Sequence, residues 1–156
     1  MEQAVMMKNR ISEKVLTAEV ESVAWERVTL HLFVRLKGDE AVLTEEDIMF
    51  YAVDETFRAK ALFQKEILPD GRVCLSLNVS NVGDCRALDV GGYFIYVCRG
   101  DEILAKCATS PEEVKYMEND SRCFLHSKRS RGYLVNFFVS DGEDELPFFM
   151  HVLHTK

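Results

Sequence analysis

Four basic residues lie close together in the second half of the chain: Arg122, Lys128, Arg129 and Arg131. Lys128, Arg129 and Arg131 fall at the predicted tip of a hairpin. Guanidinium and ammonium groups concentrated in one turn form a local positive pole that suits phosphate groups, a phosphate-rich polymer or an anionic membrane surface. An ordinary solvated turn is the alternative. The spacing therefore makes these four residues a candidate anionic-ligand patch.

Two aromatic residues, Trp25 and Phe33, are the second candidate for binding. Both occupy strand positions that are compatible with an outward side chain. Outward aromatic rings on a sheet offer a flat apolar surface, which suits the faces of sugar rings. The alternative is that the rings cover a second core under a loop or an interface with another domain.

The histidines and cysteines do not form a metal motif. His151 and His154 are three positions apart in a predicted strand, so they face opposite sides and cannot bind one metal together. His31 and His126 lie elsewhere in the chain. The five cysteines are widely spaced and odd in number, which fits neither a disulfide framework nor a zinc site. We therefore expect reduced thiols in a cytosolic setting, and no metal site.

Signatures of catalysis are also missing from the sequence. It contains no Gly-x-Ser-x-Gly elbow, and Gly91-Gly92 precedes a predicted strand instead of the helix that a phosphate-binding loop requires. The carboxylates of Asp141, Glu143, Asp144 and Glu145 crowd one turn without the ligand spacing of an EF-hand, as at a solvated hairpin tip. We predict no catalytic residue and no cofactor.

The candidate residues are expected to lie on β-strands and the turns between them, because the dominant hydrophobic pattern of the sequence has a period of two. In Val28–Leu36 and in Val73–Val79, apolar residues alternate with polar ones, which is typical of a strand with one buried face. In Val15–Trp25 the apolar phase changes, and a bulge or a bend near Ser22 would reconcile the two halves. The predicted core residues are Leu30, Leu32, Val34, Leu75, Leu77, Tyr93, Ile95, Val97, Val135 and Val139.

Turn residues separate the strands at intervals of about ten positions, as in all-β sandwiches. Pro69-Asp70-Gly71 and Arg99-Gly100-Asp101 are examples. Ser110-Pro111-Glu112 resembles a helix start, so one short helix is expected at 111–117. The prediction is an immunoglobulin-like or fibronectin-like antiparallel β-sandwich of about seven to nine strands, spanning 14–156 after a flexible leader at 1–13.

Composition agrees with one globular domain. The chain has 156 residues, of which 47% are hydrophobic and 29% charged, and its net charge is −7. This length allows a substantial buried core without a disulfide or a metal. The acidic balance argues against nucleic acid as a partner, since phosphate neutralisation needs a basic face. The N-terminus lacks the basic and apolar segments of a signal peptide.

The strand series resembles a known family. It is similar to the non-catalytic β-sandwich region that precedes the transferase domain in some bacterial CDP-glycerol glycerophosphotransferases and related teichoic-acid or capsule polymerases. The resemblance spans roughly 14–154. It is carried by Val20–Trp25, Val28–Leu36, the strand ending near Val53, Phe57–Phe63, Leu88–Val97, Tyr133–Val139 and Leu146–Val152.

This resemblance implies a function without chemistry of its own. Transfer in that family belongs to a separate catalytic domain, so no catalytic residue carries over to this chain. The chain would be a non-catalytic accessory module that contacts a catalytic domain of the same or a partner protein, an anionic polymer, a carbohydrate or a membrane surface. The implied location is cytoplasmic, with possible peripheral attachment to the inner membrane face. The alternative is a stand-alone carbohydrate- or polyanion-binding sandwich.

Overall fold

A computed structural model of the protein describes 16–38, 48–83, 86–109, 122–125, 132–139 and 147–155. Across these ranges the chain forms eleven strands and no helix. The strands are β1 Leu16–Glu26, β2 Thr29–Gly38, β3 Ile48–Asp54, β4 Lys60–Leu62, β5 Gln64–Ile67, β6 Val73–Asn78, β7 Gly91–Arg99, β8 Glu102–Lys106, β9 Arg122–Leu125, β10 Gly132–Val139 and β11 Phe148–Thr155.

The strands form two antiparallel sheets. One sheet has four strands in the order β1-β2-β6-β5. The other has seven: six in the order β4-β3-β7-β11-β10-β9, with β8 paired to the end of β7. Apolar side chains from both sheets pack into one continuous core. This arrangement confirms the predicted all-β sandwich.

The number of strands exceeds the predicted seven to nine because short segments pair separately. The clearest case is Phe57–Glu66, for which the residue types predict a single strand. It divides at Phe63 into β4, which pairs with β3, and β5, which pairs with β6 of the other sheet. Phe63 is only 3% exposed, and its amide donates to the carbonyl of Phe50 at 2.9 Å. The chain thus crosses between sheets at a residue anchored in the core.

The predicted bulge in β1 is present. The register of β1 against β2 shifts between Val20 and Ser22, so Ala18 and Val20 in the first half and Val23 in the second half are all buried. One extra residue restores the inward phase of the strand. Without it, the second half of β1 would turn its apolar residues to solvent.

The two sheets are also joined through their backbones. Ala108 follows β8, accepts a hydrogen bond from the amide of Val20 at 2.8 Å, and donates to the carbonyl of Ala18 at 2.9 Å. The buried hydroxyl of Thr109 donates to the carbonyl of Val20 at 3.1 Å. These bonds satisfy part of the outer edge of β1, which would otherwise present unpaired backbone groups.

The core residues predicted from alternation are buried. Leu30, Leu32, Val34, Leu75, Leu77, Tyr93, Ile95, Val97 and Val135 are all 6% exposed or less. The side chain of Val139 lies outside the described residues, as do the predicted leader at 1–13, the helix at 111–117 and the acidic turn at 141–145.

The three cysteines whose side chains are described are free and buried: Cys74, Cys98 and Cys107. Burial raises the pKa of Cys98 to about 11 and that of Cys107 to about 12. A buried free thiol behaves as a small apolar side chain. These two residues therefore fill space in the sandwich.

We predict that Cys98 and Cys107 resist alkylation in the folded protein. The thiolate is the reactive species. At pH 8, a pKa of about 11 leaves roughly one thiol in a thousand ionised, against roughly a quarter for a free cysteine. Treatment with iodoacetamide, followed by peptide mass spectrometry, should show modification at least about 100-fold slower than in urea. Raising the pH should speed the reaction. Fast modification of either cysteine in native buffer would contradict this assignment.

Candidate functional site

The predicted basic patch lies largely outside the described residues. Lys128, Arg129 and Arg131 are not among them, and Arg122 is described only as the first residue of β9. β9 pairs with β10, so the segment between these strands does connect two antiparallel neighbours, as predicted for a hairpin. The patch stays a prediction.

The two candidate aromatics occupy opposite faces of the four-stranded sheet. Trp25 is half-buried, packs against the main core and lies 6.1 Å from the ring of Phe137. Its expected outward position is therefore corrected: the β1 bulge turns it toward the core side. Phe33 lies on the outer face, where the guanidinium of Arg72 sits 5.5 Å from its ring centroid. Trp25 and Phe33 therefore cannot form one aromatic platform.

A histidine, a serine and a cysteine meet beside Phe33 on the outer face of that sheet. Nδ1 of His31 is 2.8 Å from Oγ of Ser76 and 4.0 Å from Sγ of Cys74. His31 and Ser76 are direct partners in the β2–β6 register. No described carboxylate orients the imidazole, which a nucleophile–base pair normally requires. The contacts are those of a cross-strand polar pair that stabilises the sheet.

A depression of about 420 Å³ lies beside β4 and collects positive charge. Arg58, Lys60 and Arg86 line it, and Asp89 is the one acidic residue among the described lining residues. Tyr93 lies at its inner side with only 1% of its surface exposed. In a chain of net charge −7, three cations against one carboxylate make a local site for an anion.

A tight turn after β3 holds Arg58 in place. The carboxylate of Asp54 accepts hydrogen bonds from the amides of Arg58 at 2.7 Å and Ala59 at 2.9 Å, and from the Thr56 hydroxyl at 2.6 Å. Burial alone would raise the pKa of Asp54, but these hydrogen bonds outweigh it and the net pKa is lowered. The contribution of Asp54 to stability is therefore present above its unfolded pKa of about 4 and is lost as acid protonates it.

Aromatic packing reinforces the same turn. Phe57 adopts a positive φ of 58°, which is costly for a residue with a Cβ. Its ring lies 5.8 Å from that of Tyr96, within a second apolar cluster on the outer face of the seven-stranded sheet. This cluster compensates for the strained backbone beside Arg58.

The loop after β6 carries Arg86 and is held by its own hydrogen bonds. Oδ1 of Asn78 accepts from the amides of Ser80 at 3.0 Å and Asn81 at 3.1 Å. The amide of Val82 donates to the carbonyl of Arg86 at 2.8 Å, and Leu88 donates to Val79 at 2.8 Å. In the described parts of this loop, 79–83 and 86–90, these bonds hold the backbone that carries Arg86, which lowers the entropy cost of binding.

A second depression of about 220 Å³ also has Val82 among its lining residues. Its polar lining is uncharged: Thr29, Gln64, Ser76, Asn78 and Asn81. Hydroxyl and amide groups of this kind exchange hydrogen bonds with neutral ligands. We call the first, cationic depression the β4 groove.

Sequence reasoning missed the β4 groove because its residues are far apart in the chain. Arg58 and Lys60 follow β3, whereas Arg86 comes from the loop before β7. The residues Asp54-Glu55-Thr56 indicate the turn that carries Arg58. Nothing in the sequence indicates that the loop with Arg86 lies next to this turn. Only the crossing of the chain between sheets at Phe63 brings these two segments together.

Within the ranges that the structure describes, no three or more His, Cys, Asp or Glu side chains are grouped to hold a metal ion. The same ranges contain no helix with the length and apolar character needed to cross a bilayer.

The described residues form an antiparallel β-sandwich with a cationic depression beside β4, and comparison with known proteins shows where this fold recurs. No family model and no curated protein sequence matches the chain. Two crystal structures of S. aureus TarS share its fold. The fragment 217–571 matches with a TM-score of 0.64 and 7% identity, covering 93% of this chain and 40% of that chain. The second TarS structure matches with the same score and identity, covering 92% and 25%.

Proposed function

We propose that the chain is a non-catalytic accessory module of a wall teichoic acid or capsule-polymer glycerophosphotransferase-like protein. The observation that carries the proposal is the fold shared with part of S. aureus TarS, a teichoic acid biosynthesis enzyme. The likeness covers nearly all of this chain but less than half of either TarS chain. A sandwich that corresponds to one part of a larger protein suits an accessory role.

In this role the module has two kinds of partner. One is the catalytic domain of the same or a partner protein, which would work at the cytoplasmic face of the membrane. The other is an anionic polymer, a carbohydrate or the membrane surface itself. The basic hairpin with Arg122, Lys128, Arg129 and Arg131 is one candidate contact for such an anion, because arginine binds phosphate oxygens through a planar fork.

A stand-alone polyanion- or carbohydrate-binding module is the second candidate function. The β4 groove favours it, because a cationic depression is a binding feature that needs no catalytic domain. The two proposals differ in whether a transferase domain acts with this chain.

The test of the accessory proposal is a transfer assay. Purified residues 1–156 are incubated with CDP-glycerol and a glycerol phosphate acceptor, and CMP release is followed. We expect no turnover, with an active transferase as positive control. A transferase catalytic domain added to the same protein should be retained by it in a co-purification. CMP release by this chain alone, or no retention of the catalytic domain, would overturn the accessory proposal.

A further inference from the structure

We infer that the free edge of β4 binds an extended acidic peptide of a partner protein, which adds to the seven-stranded sheet as a further strand. Backbone groups of β4 form the ladder, and the cations of the β4 groove pair with the carboxylates of the peptide. This contact needs no transferase domain, so it is tested separately from the accessory role.

Strand β4 is the last strand at one end of the seven-stranded sheet and pairs with β3 alone among the described strands. Two backbone bonds beside it set the phase of the ladder. The amide of Asp54 donates to the carbonyl of Ala59 at 3.0 Å, and the amide of Phe63 donates to the carbonyl of Phe50 at 2.9 Å. Hydrogen-bonded and non-hydrogen-bonded pairs alternate along an antiparallel ladder. Every second residue from Ala59 to Phe63 therefore directs its backbone groups toward β3.

The residues between these positions, Lys60 and Leu62, direct their amides and carbonyls to the free edge. Within the described residues, no backbone bond from another segment reaches either of them. Such outward groups are the ones that an added strand bonds when a sheet edge recognises a peptide. The side chain of Leu62 is also 47% exposed, so it offers an apolar neighbour to a side chain of the peptide.

The β4 groove lies along this free edge. Arg58, Ala59, Lys60 and Ala61 line it in succession, although Ala61 is buried on the inner face and Lys60 is exposed. Side chains of successive strand residues alternate between the two faces of a sheet. A depression that contacts residues of both faces therefore borders the edge of the strand, and β3 occupies the opposite edge. The groove is thus open space beside the backbone groups that an added strand would bond.

Positive charge at this edge favours an acidic peptide. Arg58, Lys60 and Arg86 line the groove, against one carboxylate, Asp89, among the described lining residues. None of the three cations is in an ion pair with a described residue. The ammonium of Lys60 lies 4.6 Å from the ring centroid of Tyr51, which restrains it and leaves its charge available. A glutamate or aspartate of the added strand therefore meets a counter-charge at close range.

The same charge disfavours other occupants of the edge. A lysine on an edge strand normally prevents pairing between like edges. If the β4 edges of two copies of this chain paired, the Lys60 and Arg58 side chains of one copy would oppose the cations of the other. An acidic strand meets no such repulsion. An anionic polymer without peptide groups satisfies the charge, but it has no backbone N–H and C=O to bond Lys60 and Leu62.

The experiment titrates the full chain at low salt with a short synthetic peptide, blocked at both ends, that alternates threonine with glutamate. Two matched peptides test its features. One has lysine in place of glutamate, and the other keeps glutamate but has every backbone amide methylated. We expect the glutamate peptide to bind and each matched peptide to bind at least about tenfold more weakly. Hydrogen–deuterium exchange at the amides of Lys60 and Leu62 should slow when the glutamate peptide is bound.

Variants of the chain test the charge and the ladder separately. Arg58→Gln with Arg86→Gln should weaken binding of the glutamate peptide at least about tenfold and flatten its salt dependence. Leu62→Pro removes an outward amide, which proline can replace on an edge strand, and should weaken binding to a similar extent. Leu62→Val keeps this amide and should bind within about twofold of the unaltered chain. Arg27→Gln with Lys37→Gln removes the same charge from exposed positions outside the groove and should also stay within about twofold.

Circular dichroism checks that Leu62→Pro remains folded, and the methylated peptide tests the same ladder on the unaltered chain. Equal binding of the methylated and unmethylated peptides would overturn strand addition. Equal losses in the groove variant and in the Arg27/Lys37 control would overturn the assignment to the β4 groove. Inorganic polyphosphate is the last probe. Binding of polyphosphate without binding of the glutamate peptide, or no binding of either, would overturn the inference and leave the transfer assay to decide the accessory proposal.

Discussion

Replacing Leu32 by alanine is expected to lower the free energy of unfolding by about 2–5 kcal/mol, the range for a leucine removed from a packed core. Leu32 has no exposed surface and lies at the centre of the four-stranded sheet, where its register partners are Val23 on β1 and Leu75 on β6. Both neighbours are buried in the same cluster, so the cavity has little freedom to collapse. Urea unfolding followed by far-ultraviolet circular dichroism measures the loss.

Leu62→Ala is the matched control for this prediction. It removes the same atoms from a side chain that is 47% exposed on the short strand β4. A surface substitution of this kind usually changes stability by about half a kcal/mol or less. A loss at Leu62 as large as the loss at Leu32 would contradict the assigned inner and outer faces. A spectrum dominated by helix would contradict the fold itself.

The sequence was most informative where strands are long and half-buried. Along β2 every second residue from Leu30 to Val34 is buried, and the same alternation placed Leu75 and Leu77 of β6. A strand has a period of two, so a few alternating residues are enough to identify its inner face. The bulge in β1 was predictable for the same reason, since a change of apolar phase needs one extra residue.

The sequence was least informative about which strands become neighbours. Pairing of β2 with β6 and of β3 with β7 joins segments far apart in the chain, and alternation does not record a partner. The division of Phe57–Glu66 between two sheets coincides with a break in alternation, where Ala61-Leu62-Phe63 is followed by Gln64-Lys65-Glu66. Such a break does not record that the chain crosses to the other sheet. Alternation also left two positions open for Trp25, outward or covering apolar surface, and the structure places its ring against the main core.

The candidate sites also differ in whether they depend on local sequence or on contacts between distant segments. The basic hairpin is a local cluster of charge, so the sequence alone proposes it. The β4 groove combines a turn after β3 with a loop after β6, and its charge accumulates only in the folded chain. The second apolar cluster, with Tyr96 and Cys98, was also unforeseen, because alternation predicts one buried face. On β7 both faces are covered, as its nearly continuous burial shows.

Gly92 and Phe149 are expected to be strongly coupled in a double-mutant cycle. Gly92 is buried in β7, and a Cβ placed on it would overlap the ring of Phe149 on β11 and the carboxylate of Glu55. Gly92→Ala should therefore destabilise the protein by about 1–3 kcal/mol through overpacking. The gain of about 0.5–1 kcal/mol from replacing glycine within a strand is smaller, so the loss dominates.

The second arm of the cycle removes the ring. Phe149 is 9% exposed and lies 5.0 Å from the ring of Phe94, so Phe149→Ala should cost at most about 3–5 kcal/mol. In the double variant the new methyl group enters space that the ring has left. The combined loss should be smaller than the sum of the single losses by at least about 1 kcal/mol. Losses that add within about 0.5 kcal/mol would show that Phe149 does not cover Gly92. A coupled result would establish the contact between β7 and β11, on which the order of the seven-stranded sheet depends.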